Sequence, residues 1–292
     1  VSDGAGTHLV FDAGSGIRPL GDALAAVRGG ARIELFLSHF HWDHIQGLPF
    51  FRPLYDETAS VRIHGPPQGA QGAHGVHGVQ STHGAHGMHG AQGTQSAHSA
   101  HGAQGAQGVQ SLLAGQMGTV YFPVPFEALT AELSFADILG DPFERGRAVV
   151  STHRVRHPTN ACAFRIELGG AVVVYAPDNE LAGGHYDVPG DWYRSLCAFV
   201  EGADLLLHDA MFTDAEYARY EGWGHSSIGH AIRLAEDAGV RRLLLFHHSP
   251  DRTDAALAEL VDAARTELAG RGSALELDAA AEDTELVVEE PA

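Results

Sequence analysis

The sequence predicts an α/β layered domain, on three observations. Short apolar strands alternate with amphipathic helices, strands outnumber helices, and several helices follow strand pairs instead of single strands. A hydrophobic share of 44% over 292 residues supplies a sizeable core and suits one large domain.

The elements follow in order. Thr7–Phe11 reads as a strand ending at Asp12-Ala13-Gly14. Ser15 stands where an N-cap would open a helix running to about Val27. Residues 32–37 make a buried strand and residues 61–64 another. Further strands are expected at 132–135, 148–152, 161–168 and 171–175, with Gly169-Gly170 as a hairpin turn. Residues 191–200 read as a helix and 204–208 as a strand. Ile228, Ala231, Ile232 and Ala235 fall at helical spacing, and Gly239 ends that helix. Arg242–Phe246 is a short apolar strand, and Leu257, Leu260, Val261, Ala264 and Leu268 mark the last long helix.

Residues 68–110 break the pattern. They carry no charge and consist mainly of Gly, Ala, Gln and His, with units such as Gly-Ala-His-Gly recurring. So little apolar surface cannot offset the entropy of ordering the chain, and no unit offers a core face. The segment therefore predicts a disordered low-complexity loop insertion interrupting the domain. Its seven histidines, His74, His77, His83, His86, His89, His98 and His101, could bind metal loosely. A neutral expansion is the simpler reading, because lengthening a loop adds little closure entropy.

Composition excludes several function classes. The formal charge is −19, and all 18 cationic residues are arginine. A sequence-independent grip on nucleic acid needs clustered cations to displace counterions, so extended nucleic-acid binding is not expected. No apolar run approaches membrane-spanning length and no charged-then-apolar leader is visible, so neither a membrane partner nor export is expected. Cys162 and Cys197 are too few for a disulfide framework or a zinc knuckle. A cytoplasmic protein is the expectation. The chain opens at Val1, without an initiator methionine and almost inside a strand, which suggests that an N-terminal strand region is missing.

The strongest chemical signal is Ser38-His39-Phe40-His41-Trp42-Asp43-His44, directly after the strand at 32–37. Three imidazoles and a carboxylate crowded at a strand exit would repel one another if the imidazoles were protonated. A divalent cation resolves the crowding, and imidazole nitrogen and carboxylate oxygen are common donors in catalytic zinc sites. His39 and His41, two apart in an extended stretch, point to the same side. Asp43 and His44, at the turn into a helix, can serve a second ion. The plain alternative, a polar loop whose histidines cap backbone groups, fits poorly with this density.

The His-x-His-x-Asp-His pattern resembles the metallo-β-lactamase superfamily, and the likeness runs over nearly the whole chain apart from the insertion. It implies an αββα sandwich with metal ligands on loops at one edge of two facing sheets. By the order of the ligand loops it implies His157, in Arg156-His157-Pro158, as the third histidine of the first metal. Asp178, in Tyr175-Ala176-Pro177-Asp178, matches the bridging carboxylate. His247, in Leu245-Phe246-His247-His248, matches the last ligand of the second metal, with His248 as the alternative. The first ion would then take His39, His41, His157 and Asp178, and the second Asp43, His44, Asp178 and His247. Two divalent ions are implied, Zn²⁺ foremost, with Mn²⁺ or Fe²⁺ as alternatives. Asp178 stands where penicillin-hydrolysing members place a cysteine, and His41 where flavo-diiron members place a glutamate.

A second pair of segments, His208-Asp209-Ala210-Met211-Phe212 and Gly224-His225-Ser226-Ser227, resembles those of ribonuclease Z and its phosphodiesterase relatives. The resemblance implies His225 as general acid and Asp209 as its partner, with Asp43 counted among the catalytic groups as well as the ligands. An imidazolium held by a carboxylate can protonate a poor alkoxide leaving group. The plain reading is that His225 packs at a helix start while Ser226 caps it. A small phosphodiester substrate such as a cyclic nucleotide is expected, since no long basic arm for transfer RNA is visible. Trp42, Phe50, Phe51, Tyr121 and Phe122 flank the motifs and could stack a base, although core packing is the commoner role. Asp12 to Gly16 reads as a tight turn with packing glycines in preference to an anion cradle. His8, His64, His153, His185, His208 and His230 read as structural. The competing functions are another hydrolase on the same scaffold, of lactonase or arylsulfatase type, and a metal-binding or sensory protein that works through the His-rich loop. A homodimer rests on family analogy alone.

Overall fold

In each strand of the first sheet, alternate side chains face either a helical layer or the second sheet, as a period of two requires. In the computed structural model, which describes residues 1, 6–27, 29–68, 108–138, 140, 142–184 and 186–288, the order is as follows. β1 (Thr7–Phe11), α1 (Ile17–Leu24), β2 (Arg32–Phe36), α2 (Trp42–Ile45), β3 (Ser60–Gly65), α3 (Val109–Gln116) and β4 (Glu132–Asp137) make the first half. β5 (Phe143–Arg145), β6 (Ala148–Arg154), β7 (Cys162–Leu168), β8 (Ala171–Ala176), α4 (Trp192–Val200), β9 (Leu205–Asp209), α5 (Asp214–Tyr217), α6 (Ile228–Asp237), β10 (Arg242–Phe246), α7 (Asp254–Gly270) and β11 (Glu276–Ala279) make the second.

The first sheet is parallel, in the order β1-β2-β3-β4. The second has seven strands, β11-β10-β9-β8-β7-β6-β5, parallel from β11 to β8 and antiparallel from β8 to β5. Ile33, Leu35, Val61 and Ile63 face outward and pack with Ile17, Leu24 and Leu113 of the helices. Leu9 and Phe36 face the other way, onto Val150, Phe164 and Ile166 of the second sheet. On the far side of that sheet Leu196, Ile232, Leu234, Val261 and Leu268 make a third cluster with Leu206 and Leu243. The layers are therefore helices, sheet, sheet, helices, the expected αββα sandwich.

Phe36 is the clearest single anchor between the sheets. It is fully buried, stacks on Phe11 at 5.2 Å and on His64 at 4.5 Å, and meets Phe164 edge-on. Phe36→Ala should lower the unfolding free energy by about 3–5 kcal/mol, because the void lies between two sheets that cannot easily collapse into it. Denaturant titration checks this, and a loss below about 1 kcal/mol would contradict the packing described.

Three expectations need correction. α1 ends at Leu24 and not near Val27, and its N-cap is Gly16, with no side-chain cap from Ser15. The segment expected at 68–110 is bounded too generously. Val109 is 2% exposed, opens α3 and packs in the first core, so the last residues of that range belong to the domain. Gln68 at the other end donates to the Asn160 carbonyl at 3.0 Å. Residues 69–107, with their seven histidines, lie outside the described residues, as does His185. The third correction is one of omission: β5, β11 and α5 were not foreseen, being three or four residues each. Among the described residues no helix is long and apolar enough to cross a membrane.

Candidate metal centre

Five loops meet at one edge of the sandwich because five parallel strands end there. β1, β2, β8, β9 and β10 all run the same way, and their carboxyl ends carry Asp12, His39, Asp178, Asp209 and His247. Such strand ends are the usual ligand-binding edge of an α/β sheet. The hairpin side contributes His157, from the loop between β6 and β7.

The structure brings together all seven side chains expected as ligands. His39, His41, His157 and Asp178 each offer one donor atom within 4.8 Å of the others, and so do Asp43, His44 and His247. Asp178 stands between the groups. Its Oδ2 lies 3.7 Å from His39 Nε2 and 3.8 Å from His157 Nε2, while its Oδ1 lies 3.0 Å from His44 Nε2 and 3.6 Å from His247 Nε2. Asp43 Oδ2 approaches His44 and His247 at 3.2 and 3.3 Å. The two neighbouring histidines point apart: His248 Nε2 faces the Ala280 carbonyl, and His247 Nε2 faces Asp43 and Asp178. His247 takes φ of +54°, a left-handed conformation rare outside glycine and the kind of strain that concentrates at functional sites.

The cluster fits divalent cations. His39 Nε2, His44 Nε2 and Asp178 Oδ1 are buried without a hydrogen-bond partner, even though the last two atoms are close. An unpaired buried polar atom costs on the order of 1–3 kcal/mol, and cations held at the cluster would give all three a partner. An all-nitrogen-and-oxygen donor set suits Zn²⁺, and Mn²⁺ or Fe²⁺ nearly as well.

Protonation divides the histidines into two kinds. Burial lowers His39, His41 and His157, the last to about 4, so their ring nitrogens are neutral donors. Burial also opposes charge on His44 and His247, but carboxylates outweigh it. Asp12 drives His44 well above the ordinary histidine range, and the hydrogen bond to Asp43 with the charge of Asp178 raises His247 to about 9. Burial pushes Asp178 up, yet the His44 imidazole 3.0 Å away and the other surrounding imidazoles hold it well below the usual carboxylate range. A cation must therefore displace protons from His44 and His247 at neutral pH. Cation affinity should rise steadily as pH is raised toward and through 9, the value to which His247 is raised, with proton release on binding at neutral pH. Calorimetry in two buffers of different ionisation heat measures that release, and a proton-neutral reaction at pH 7 would contradict it.

Other side chains hold the donors in place, as the outer partners of metal-binding groups do. His44 Nδ1 lies 2.8 Å from Asp12 Oδ2. Asp12 also accepts from the Ser38 N–H at 2.7 Å, the Ser38 hydroxyl at 2.9 Å and the Tyr175 hydroxyl at 2.9 Å. His157 Nδ1 lies 3.1 Å from the Gly224 carbonyl. The tight-turn reading of residues 12–16 holds for Gly14, where a Cβ would sit 2.6 Å from the Asp43 carbonyl. It missed Asp12, whose φ of +60° turns its carboxylate into the centre. Register explains its place: Phe11 pairs with Phe36, so Asp12 follows its strand beside the start of the histidine motif.

His225 and Asp209 meet as expected. His225 Nδ1 lies 2.7 Å from Asp209 Oδ2 and 3.9 Å from Asp178 Oδ2, and its ring stacks on His247 at 4.7 Å. Asp209 is fully buried and also accepts from the N–H groups of Asn179, Met211 and Ser226. Ser226 does not cap α6; Ser227 does, in a capping box with His230. His208 is a buried structural residue held between Asn179 and its neighbour's carbonyl. His64 pairs with Glu34 at 2.7 Å between the sheets. Cys162 is buried and Cys197 partly so, both outside the cluster. Of the flanking aromatics, Phe51 is core, whereas Trp42, Phe50 and Tyr121 are 59%, 52% and 79% exposed. A cavity of about 540 Å³ opens beside Asp43, His44 and His247, with Phe11, Tyr175 and Phe246 in its wall.

Comparison with known proteins agrees with this geometry. The family described as beta-lactamase superfamily domain matches residues 133–248. A ribonuclease Z of Thermoplasma volcanium is 42% identical over 74 residues, 25% of this chain and 24% of that relative. A ribonuclease Z of Porphyromonas gingivalis is 24% identical over 245 residues, 75% of this chain and 72% of that relative. The chain thus spans about a quarter of the first relative's length and under three quarters of the second's. Among solved structures, human tRNase Z, short form, superposes with a TM-score of 0.56 at 19% identity, covering 99% of this chain and 90% of that one. A diphosphatase from the PhnP family gives 0.57 at 15% identity, covering 98% and 82%. These structural likenesses establish the fold. Residues 133–248 therefore match the beta-lactamase superfamily domain, the chain is similar in sequence to ribonuclease Z, and its fold is that of the metallo-β-lactamase structures.

Proposed function

We propose that the protein is a metal-dependent phosphodiesterase that binds two divalent cations and acts on a small phosphodiester such as a cyclic nucleotide. His39, His41, His157 and Asp178 would hold one ion, and Asp43, His44, His247 and Asp178 the other. When bound, the ions supply Lewis acidity for the phosphoryl oxygens and make a water acidic enough to react at neutral pH. The rest is done by the chain. Asp178 keeps the two donor groups in register. Asp209 accepts from His225 Nδ1–H, which fixes the tautomer and leaves Nε2 as the atom that gives a proton to the departing oxygen. Asp43, over half exposed, stands at the mouth, on the side where substrate enters.

The observation that carries this reading is the 2.7 Å His225–Asp209 pair beside the bridging carboxylate. A lactonase or arylsulfatase on this scaffold has less use for a carboxylate-held acid aimed at an alkoxide. The net charge of −19 and the absence of lysine favour a small substrate over a long RNA, although the matched relatives bear the name ribonuclease Z. The test is a substrate panel on cation-loaded protein: cyclic nucleotides, bis-nitrophenyl phosphate, a lactone, an aryl sulfate and a lactam. Turnover confined to the phosphodiesters is expected, and preference for the lactone or sulfate would refute the assignment. Removing residues 70–107 should leave that turnover intact, whereas a metal buffer built on the His-rich segment would lose most of its capacity.

A further inference from the structure

Glu180 lies two residues beyond Asp178 and no sequence motif singles it out. Its side chain is fully buried, and a carboxylate is rarely buried without dedicated donors. Here four donors converge on it. The Tyr217 hydroxyl, which also abuts the Ala182 carbonyl, lies 2.6 Å from Oε1, and the Gly222 N–H lies 2.8 Å from the same oxygen. The Tyr186 hydroxyl and the Gly224 N–H, the latter at 2.8 Å, go to Oε2. Four donors on one acceptor suit an ionised carboxylate. Its own N–H donates to the Arg156 carbonyl at 2.8 Å, one residue before His157.

The turn that Glu180 holds carries two parts of the site. The carbonyl of Gly224 is the partner of His157 Nδ1, and the next residue is His225. Gly222 and Gly224 have φ of +88° and +93°, and a Cβ on Gly224 would meet His157 Nδ1 at 2.3 Å. Tyr220 ties the middle of the turn down by stacking on Phe212 at 4.6 Å, but the two glycine amides find their partner in the carboxylate alone.

We propose that Glu180 is a positioning residue for the metal centre: it clamps the 217–224 turn so that the Gly224 carbonyl orients the His157 ring and His225 is presented to Asp209. This rests on the proposed roles of His157 and His225. Glu180→Gln keeps the shape but places an NH₂ against donors, so the clamp opens. Zn²⁺ affinity, measured by competition with a chromophoric chelator, should fall about 10–100-fold, the usual loss when an outer partner of a metal-binding group is removed. Hydrolysis of a cyclic nucleotide should fall further than that of bis-nitrophenyl phosphate, whose leaving group needs no acid. Tyr217→Phe removes one donor and should shift both readouts a few-fold in the same direction. It decides the matter if Glu180→Gln does not fold.

A purely structural Glu180 would lower the melting temperature while the folded variant kept wild-type Zn²⁺ affinity and leaving-group dependence, and that result would overturn the proposal. Tyr217→Phe unchanged in both readouts, with Glu180→Gln unfolded, would overturn it too. Wild-type protein that binds Zn²⁺ but hydrolyses no phosphodiester would sink the proposed function alone, leaving the affinity arm to judge Glu180. Wild-type protein that binds no Zn²⁺ would overturn both.

Discussion

Asp178→Ala abolishes phosphodiester turnover, by at least about 10³-fold, and lowers the bound cation to one per chain or fewer. The magnitude follows from removing preorganised charge in a buried site, where the loss of even a single donor costs about 10²–10³-fold. Asp178 does more than one donor's work. It is 2% exposed, and its two oxygens separately face His39 and His157 on one side and His44 and His247 on the other. Without it, raised-pKa His44 and His247 lose the anion between them and repel a cation as well as each other. The fold should survive, since Asp178 lies at the rim and not in any of the apolar clusters. Metal analysis beside a rate assay checks both parts. A variant that still binds two ions would remove Asp178 from the centre.

His225→Ala behaves differently. It keeps its cations, because the donor groups around Asp178 do not need it, yet slows hydrolysis of esters with alkoxide leaving groups by about 10²–10⁴-fold. Activated nitrophenyl esters, whose leaving groups depart unprotonated, should lose less than about tenfold. Asp209→Asn should show the same selectivity in milder form, since Asp209 acts through the ring at 2.7 Å. Equal losses on both substrate types would show that His225 binds substrate or a cation instead of donating a proton. That outcome is a real alternative in the geometry, for His225, Asp178 and His247 also place donor atoms within 4.8 Å of one another.

The legible part of the chain was whatever carried local periodicity or a dense motif. β1 and β10 were read at their observed ends, because apolar runs bounded by turn residues announce them. The histidine motif was legible because so many donors in so few residues have few other uses. His157, Asp178 and His247 were weaker signals, readable only in order behind that motif, since a lone histidine or aspartate after a strand is usually an ordinary loop residue. What escaped was what is set by contact between segments far apart in sequence. Asp12 matters because β1 lies beside β2, and Glu180 because a distant turn folds over it. Neither relation leaves a mark in local sequence. α3 escaped for another reason: Val109 follows a long run of Gly, Ala and Gln, so the helix's buried Val109 and Leu113 were hidden by composition.

The central claim is that residues from 39 to 247 converge on two neighbouring cations sharing one carboxylate. Anomalous X-ray diffraction from crystals of the Zn²⁺-loaded wild-type protein tests it most directly. The expected result is two peaks about 3.5–4 Å apart with Asp178 bonded to both. A single peak, or peaks remote from Asp178, would contradict it.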